Sequence, residues 1–139
     1  MPRIGDALER EVTLTREDVV RFAELLGDPN PLHHDEAAAS RSRFGGLIAS
    51  GAHLTGLLTG LCASLATSFG PTVGLEVSCQ FRRAVRAGTT LRMRCEVTAV
   101  ERSEQLGGDL VSVRAEMRDR QGALLVTGTG KVLSREDLW

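Results

Sequence analysis

The chain has 139 residues, which suits one domain, residues 1–139, built on a single core. Its 17 basic and 18 acidic side chains nearly cancel, and this balance excludes a nucleic-acid footprint or an acidic tail. Three cysteines, Cys62, Cys79 and Cys95, show no CxxC or Cys/His spacing and read as buried thiols of a reducing cytoplasm. The opening MPRIGDALEREV lacks the apolar core of a signal peptide.

Residues 9–14 (EREVTL) read as a short strand. Thr15 then offers an N-cap with Asp18 at the third helical position. Val19, Phe22, Ala23 and Leu26 follow at helical spacing, and Gly27 ends the helix. A Pro-rich run, LLGDPNPLHHDEAAA, separates it from a short helix that Asp35 can cap. Ser50 can cap a long apolar helix running to about Phe69, before Gly70-Pro71.

Phe44 to Leu75 holds no Asp, Glu, Lys or Arg and one histidine, His53. Gly56 and Gly60 form a GxxxG, the small-residue spacing of membrane helix pairs. Yet Ser50, Thr55, Thr59, Ser64, Thr67 and Ser68 dilute the apolar character, and no aromatic belt flanks the segment. A helix apolar on all sides is equally the buried centre of a globular domain. The second half of the chain offers it a sheet, so no membrane span is expected.

Beyond Pro71 the period changes to two. Val73, Leu75, Val77, Cys79 and Phe81 alternate with polar or small residues, as do Leu91, Met93, Cys95, Val97 and Ala99. Val111, Val113, Ala115 and Met117 make a third set, and Leu124, Val126, Gly128, Gly130 and Val132 a fourth. Turn residues at Ala87-Gly88, Gly107-Gly108-Asp109 and Gln121-Gly122 separate them. The expectation is an α+β domain in which a curved antiparallel sheet wraps one central helix. Gly56 and Gly60 would then let strands come close to that helix.

The Pro-rich loop admits two readings. Pro29 and Pro31 fix their own φ and hold Asp28 and Asn30 extended, so the loop costs little entropy to order. It could hold a carboxylate, Asp28, and an imidazole, His33, in one geometry, a pair able to bind and deprotonate a water. It could equally be a plain turn closing a helix, which on spacing alone is the commoner outcome.

GDPNPLH, with the downstream GGLIASGAHL, resembles the signature of the MaoC-like dehydratases, which include the (R)-specific enoyl-CoA hydratases. The later FRRAVRAGTTLRMRCEVTAV is similar to that family's strand–turn–strand, so the likeness covers nearly the whole chain. The resemblance implies a hot-dog fold and the reversible, R-specific hydration of a trans-2-enoyl thioester. Its substrate would be carried on coenzyme A or acyl carrier protein, and no cofactor or metal is needed. It makes Asp28 and His33 the catalytic pair, with Asn30 bracing the loop. Gly51 becomes the residue whose backbone N–H receives the thioester oxygen, with Ser50 beside it at the substrate. It also implies a cytoplasmic homodimer or higher homo-oligomer. Four positions depart from the pattern: Leu26, Ser50 (often His), Ala84 (often Pro) and Thr89 (often Asp).

Other residues are weighed against simpler readings. His34 reads as a surface residue whose removal is nearly silent, since adjacent histidines point apart and no further metal ligand has suitable spacing. His53 reads as a satisfied core histidine, and Thr59 as packing or an acyl-chain contact. Arg41, Arg43, Arg82, Arg83 and Arg86 could grip coenzyme A phosphates, or simply charge a strand edge. A hot-dog thioesterase would place its acid on or beside the central helix, but residues 47–68 contain no Asp or Glu. A non-catalytic acyl-CoA-binding subunit fits poorly with an intact Asp28, His33 and Gly51.

Overall fold

A computed structural model describes all residues, 1–139. Strand β1 (Ala7–Thr13) leads into α1 (Arg16–Leu26), a 3-10 turn (Pro31–His33), α2 (Glu36–Arg41) and α3 (Gly51–Thr67). Four strands follow: β2 (Thr72–Phe81), β3 (Thr90–Ser103), β4 (Gly108–Arg118) and β5 (Leu124–Ser134). They form one antiparallel sheet in the order β1-β3-β4-β5-β2. The fold is a hot-dog: α3 lies across the concave face of the sheet.

The helix starts are side-chain caps. Thr15 Oγ1 accepts from the Asp18 N–H, Asp35 Oδ1 from Ala38, and Ser50 Oγ from His53. Along α3, Leu54, Leu58, Leu61 and Leu65 are buried at helical spacing. They meet the inward rows Leu91-Met93-Cys95-Val97 and Val111-Val113-Ala115-Met117 of β3 and β4 in one core. A bulge between Val97 and Ala99 shifts the register, so Val100 packs on the core where strict alternation expected Ala99.

Three expectations need correcting. Gly60 has open space at its Cβ position, and Gly56 faces the Phe22 ring of α1, so neither admits a strand. Cys62 of α3 and Cys95 of β3 are joined as a disulfide, with Cα atoms 5.7 Å apart, and only Cys79 is a free thiol. Helix and sheet faces that each looked simply apolar brought the two sulfurs together. Finally, the apolar row of β2 is not covered: Val73, Leu75, Val77 and Phe81 are about half exposed, at 46–53%. α3 is tied to β3 by the disulfide and leaves a groove of about 440 Å³ on its β2 side. No helix is long and apolar enough to cross a membrane.

Candidate active site

The site grows out of the end of α1. Gly27 takes a left-handed conformation (φ 68°), which turns the chain so that the Asp28 N–H reaches the Ala23 carbonyl at 2.9 Å. Pro29 follows, and Asn30 Oδ1 then accepts from the Leu32 N–H at 3.1 Å, starting the 3-10 turn with Pro31 at its first position. Asn30 therefore braces the loop, and its side-chain oxygen is already used. The backbone N–H of Asn30 donates in turn to Asp28 Oδ1 at 3.0 Å.

The turn buries His33 against a three-residue extended segment, Leu47–Ala49. That segment pairs with Val85–Ala87 through the bonds Ala49 N–H to Val85 O and Ala87 N–H to Leu47 O. Strand alternation sends the two polar groups of Ile48 the other way, towards the loop. Its N–H donates to Leu32 O at 3.1 Å, and its carbonyl lies 2.7 Å from His33 Nδ1. A carbonyl only accepts, so Nδ1 carries the proton. His33 Nε2 is left facing Asp28 Oδ2 at 3.6 Å, too long for a direct hydrogen bond. The imidazole side chain is 7% exposed and the carboxylate 32%. The two predicted dyad members are thus adjacent, with one bare atom each on the same side.

Gly51 opens α3 three residues after Ile48, so about 11 Å at most separates the two peptide units. The N–H groups of Gly51 and Ala52 make no hydrogen bond, as expected in the first turn of a helix. Ser50 is buried, and its hydroxyl is occupied by capping the His53 N–H at 3.2 Å. A Cβ at Gly51 would fall 2.9 Å from the Phe81 ring, which makes Phe81 the wall beside this free amide. Neither Phe81 nor Ile48 stands out in the sequence as a site residue. Ile48 acts through its backbone, so its residue type carries no signal of the role.

His34 is not a surface residue. It is half-buried, and its Nε2 donates to the Asp28 carbonyl at 2.5 Å. The loop is a tight turn, and the neighbouring rings address different partners. His53 is buried as expected but not satisfied. Its ring stacks on Phe22 at 4.4 Å between centroids, and its Nδ1 has no hydrogen-bond partner. Burial pushes its pKa below the usual histidine value, partly offset by the nearby Asp18 carboxylate. Two of the arginines are tied locally: Arg82 reaches Thr127 Oγ1 at 3.4 Å, and Arg86 donates to Gly45 O at 3.1 Å. Arg43 lies over the Phe44 ring. Thr59 and Cys62 line the α3–β2 groove.

The MaoC like domain pattern matches residues 2–117. The chain belongs to the MaoC-like family. It is 35% identical to the 3-hydroxybutyryl-CoA dehydratase of Methylorubrum extorquens over 94 residues, 68% of this chain and 58% of that protein. It is 31% identical over 115 residues to the (R)-specific enoyl-CoA hydratase of Aeromonas caviae, covering 83% of this chain and 82% of the hydratase. The solved (R)-hydratase from A. caviae superposes with a TM-score of 0.78 at 27% identity, over 94% of this chain and 95% of the other. The GDPNPLH loop, the hot-dog fold and these MaoC-like relatives agree.

Proposed function

We propose that the chain reversibly hydrates a trans-2-enoyl thioester to the (R)-3-hydroxyacyl thioester, with a water activated by Asp28 and His33. The observation that carries this reading is the Ile48 carbonyl on His33 Nδ1. With a proton held there, the ring in its neutral form presents a bare Nε2 beside a carboxylate oxygen that, ionised, is also only an acceptor. Two acceptors at this spacing suit one water that donates a hydrogen to each. Its oxygen lone pair then points away from both, available to the β-carbon.

As the oxygen bonds to the β-carbon, the dyad takes one proton and the electron pair moves to the thioester oxygen. The free Gly51 N–H, at the positive end of a 17-residue helix, stabilises that developing charge. The enolate then takes the proton back at the α-carbon. H and OH are added with no cofactor consumed.

The ten-residue edge strand β2 favours a homodimer, formed by pairing with its twin in a second copy. The second copy would cover the apolar row of β2 and roof the groove, leaving an apolar channel for the acyl chain beside Thr59. The test is a series of trans-2-enoyl thioesters of increasing length, on coenzyme A and on acyl carrier protein, followed by loss of the enoyl absorbance. Hydration with R product supports the proposal. Release of free thiol from saturated acyl-CoAs, with enoyl-CoAs untouched, replaces it by a thioesterase.

A further inference from the structure

We infer that His34 is a positioning residue that sets the Asp28 carboxylate against His33; the inference rests on the dyad reading above. Asp28 has four polar atoms, and three are tied. Its N–H bonds to Ala23 O, its Oδ1 accepts from Asn30, and its carbonyl accepts from His34 Nε2. Only Oδ2 is left for chemistry, and it is the atom that faces His33 Nε2.

The bond to the carbonyl has no substitute. The peptide unit that follows Asp28 ends in the proline nitrogen of Pro29, which has no hydrogen to donate. That plane can therefore be anchored only through its oxygen, and His34 makes the one hydrogen bond to it. The orientation of this plane fixes ψ of Asp28, and hence where the residue stands relative to the 3-10 turn. With the bond gone, Pro29 still keeps Asp28 in the broad extended region, but no hydrogen bond fixes the plane within it.

His34 is itself well anchored. Its N–H bonds to Pro31 O at 3.2 Å, and the next N–H, of Asp35, bonds to the same carbonyl at 2.8 Å as the chain enters α2. α2 is tied to α1 by the Arg16–Glu36 ion pair at 2.8 Å. The imidazole thus bridges the two ends of the loop. Because a carbonyl only accepts, His34 must carry its proton on Nε2, whereas His33 carries its own on Nδ1. The paired histidines are held as opposite tautomers for two tasks: one ring faces the water, and the other fixes the carboxylate.

The experiment compares wild type, His34→Leu and His34→Gln, each also in an Asp28→Asn background, with folding followed by circular dichroism. Glutamine places an N–H donor the same number of bonds from the backbone as histidine Nε2; leucine places none. With the enoyl-CoA that wild type turns over fastest, His34→Leu should lose about 10- to 100-fold in kcat with little change in KM, the scale of a misplaced catalytic group. His34→Gln should recover most of the loss. In the Asp28→Asn background, His34→Leu should cost nothing further, since it acts through the carboxylate. An activity-independent reading comes from the nitrogen chemical shifts of the His33 ring, which should move in His34→Leu and return in His34→Gln.

If wild type hydrates no enoyl thioester but the His33 shifts behave as stated, the proposed reaction fails while the placement of Asp28 by His34 stands. The inference is overturned by a folded His34→Leu variant with wild-type His33 shifts, or by His34→Gln failing alongside His34→Leu. Where wild type is active, a His34→Leu loss that adds fully to that of Asp28→Asn overturns it as well.

Discussion

The loop that carries the dyad and the groove between α3 and β2 lie at opposite extremes of self-sufficiency. In the loop, many polar groups are paired off within a few residues or against Ile48, and Asp28 Oδ2 and His33 Nε2 are left facing each other. In the groove, half-exposed apolar side chains of β2 look across open space at a helix face of mostly small residues. A hydrogen-bonded loop can define its own geometry, because directional bonds specify position. An apolar surface cannot, since the hydrophobic drive is non-directional and is satisfied only by whatever covers it. One region is fixed by its own hydrogen bonds, and the other is left open.

The sharpest way to break this contrast is at the loop. Asp28→Asn and His33→Ala should each lower enoyl-CoA turnover by roughly 10²–10⁴-fold, measured with folding checked, because general-base contributions have that size. Binding of the thioester should persist, since the contact expected at Gly51 is made by backbone. Wild-type turnover by either folded variant would reduce GDPNPLH to an ordinary turn.

At the groove, Val77→Lys puts a charge on the exposed inner row of β2. It should weaken a dimer by roughly 100-fold or more, the effect of an unpaired buried charge, and light scattering at micromolar concentration should then find monomer. An unchanged mass would move the interface elsewhere.

Gly60→Ala tests whether the exposed face of α3 beside the groove is covered by a second copy. With nothing within 4 Å of the new methyl group, the substitution should stabilise an isolated chain against urea by about 1 kcal/mol through helix propensity. If a second copy seats on that face, stability should instead fall with the dimer.

The smallest expected effect is the pH dependence of stability. His53 is held neutral by burial, below its ordinary value of 6.5. As pH falls from about there towards the lowered folded value, the unfolded chain binds a proton that the fold refuses, so stability declines. His53→Phe keeps the stack on Phe22 and removes the titration, and should flatten the fall in Tm between neutral and mildly acidic pH. A slope unchanged from wild type would assign the acid sensitivity to other groups.

The sequence disclosed what is local. Caps at Thr15, Asp35 and Ser50 each need only a side chain and an N–H three residues on, and all three formed. The strand periods and the long helix were likewise readable, because alternation reports which face is apolar. It does not report what covers that face, so the exposure of β2, the open space at Gly60 and the Cys62–Cys95 pairing were out of reach. At the site, residue types and spacing alone left an ordinary turn the commoner reading, and the likeness to the family motif singled out Asp28 and His33. The role of Ile48 is backbone, and that of His34 depends on how tightly the turn closes, which no residue spacing encodes.

The order of the strands has a consequence for the chain as it is synthesised. β1 pairs with β3 in the register Ala7↔Glu96, so the first strand made has no place in the sheet until residues far downstream have emerged. The same delay applies to the dyad. GDPNPLH can turn early, but the Leu47–Ala49 segment that holds its imidazole is itself held by Val85–Ala87. A nascent chain shorter than that carries the motif without the site. Assembly of this site is a late event, timed by the arrival of a short bridging segment that contributes no side chain to the Asp28–His33 pair.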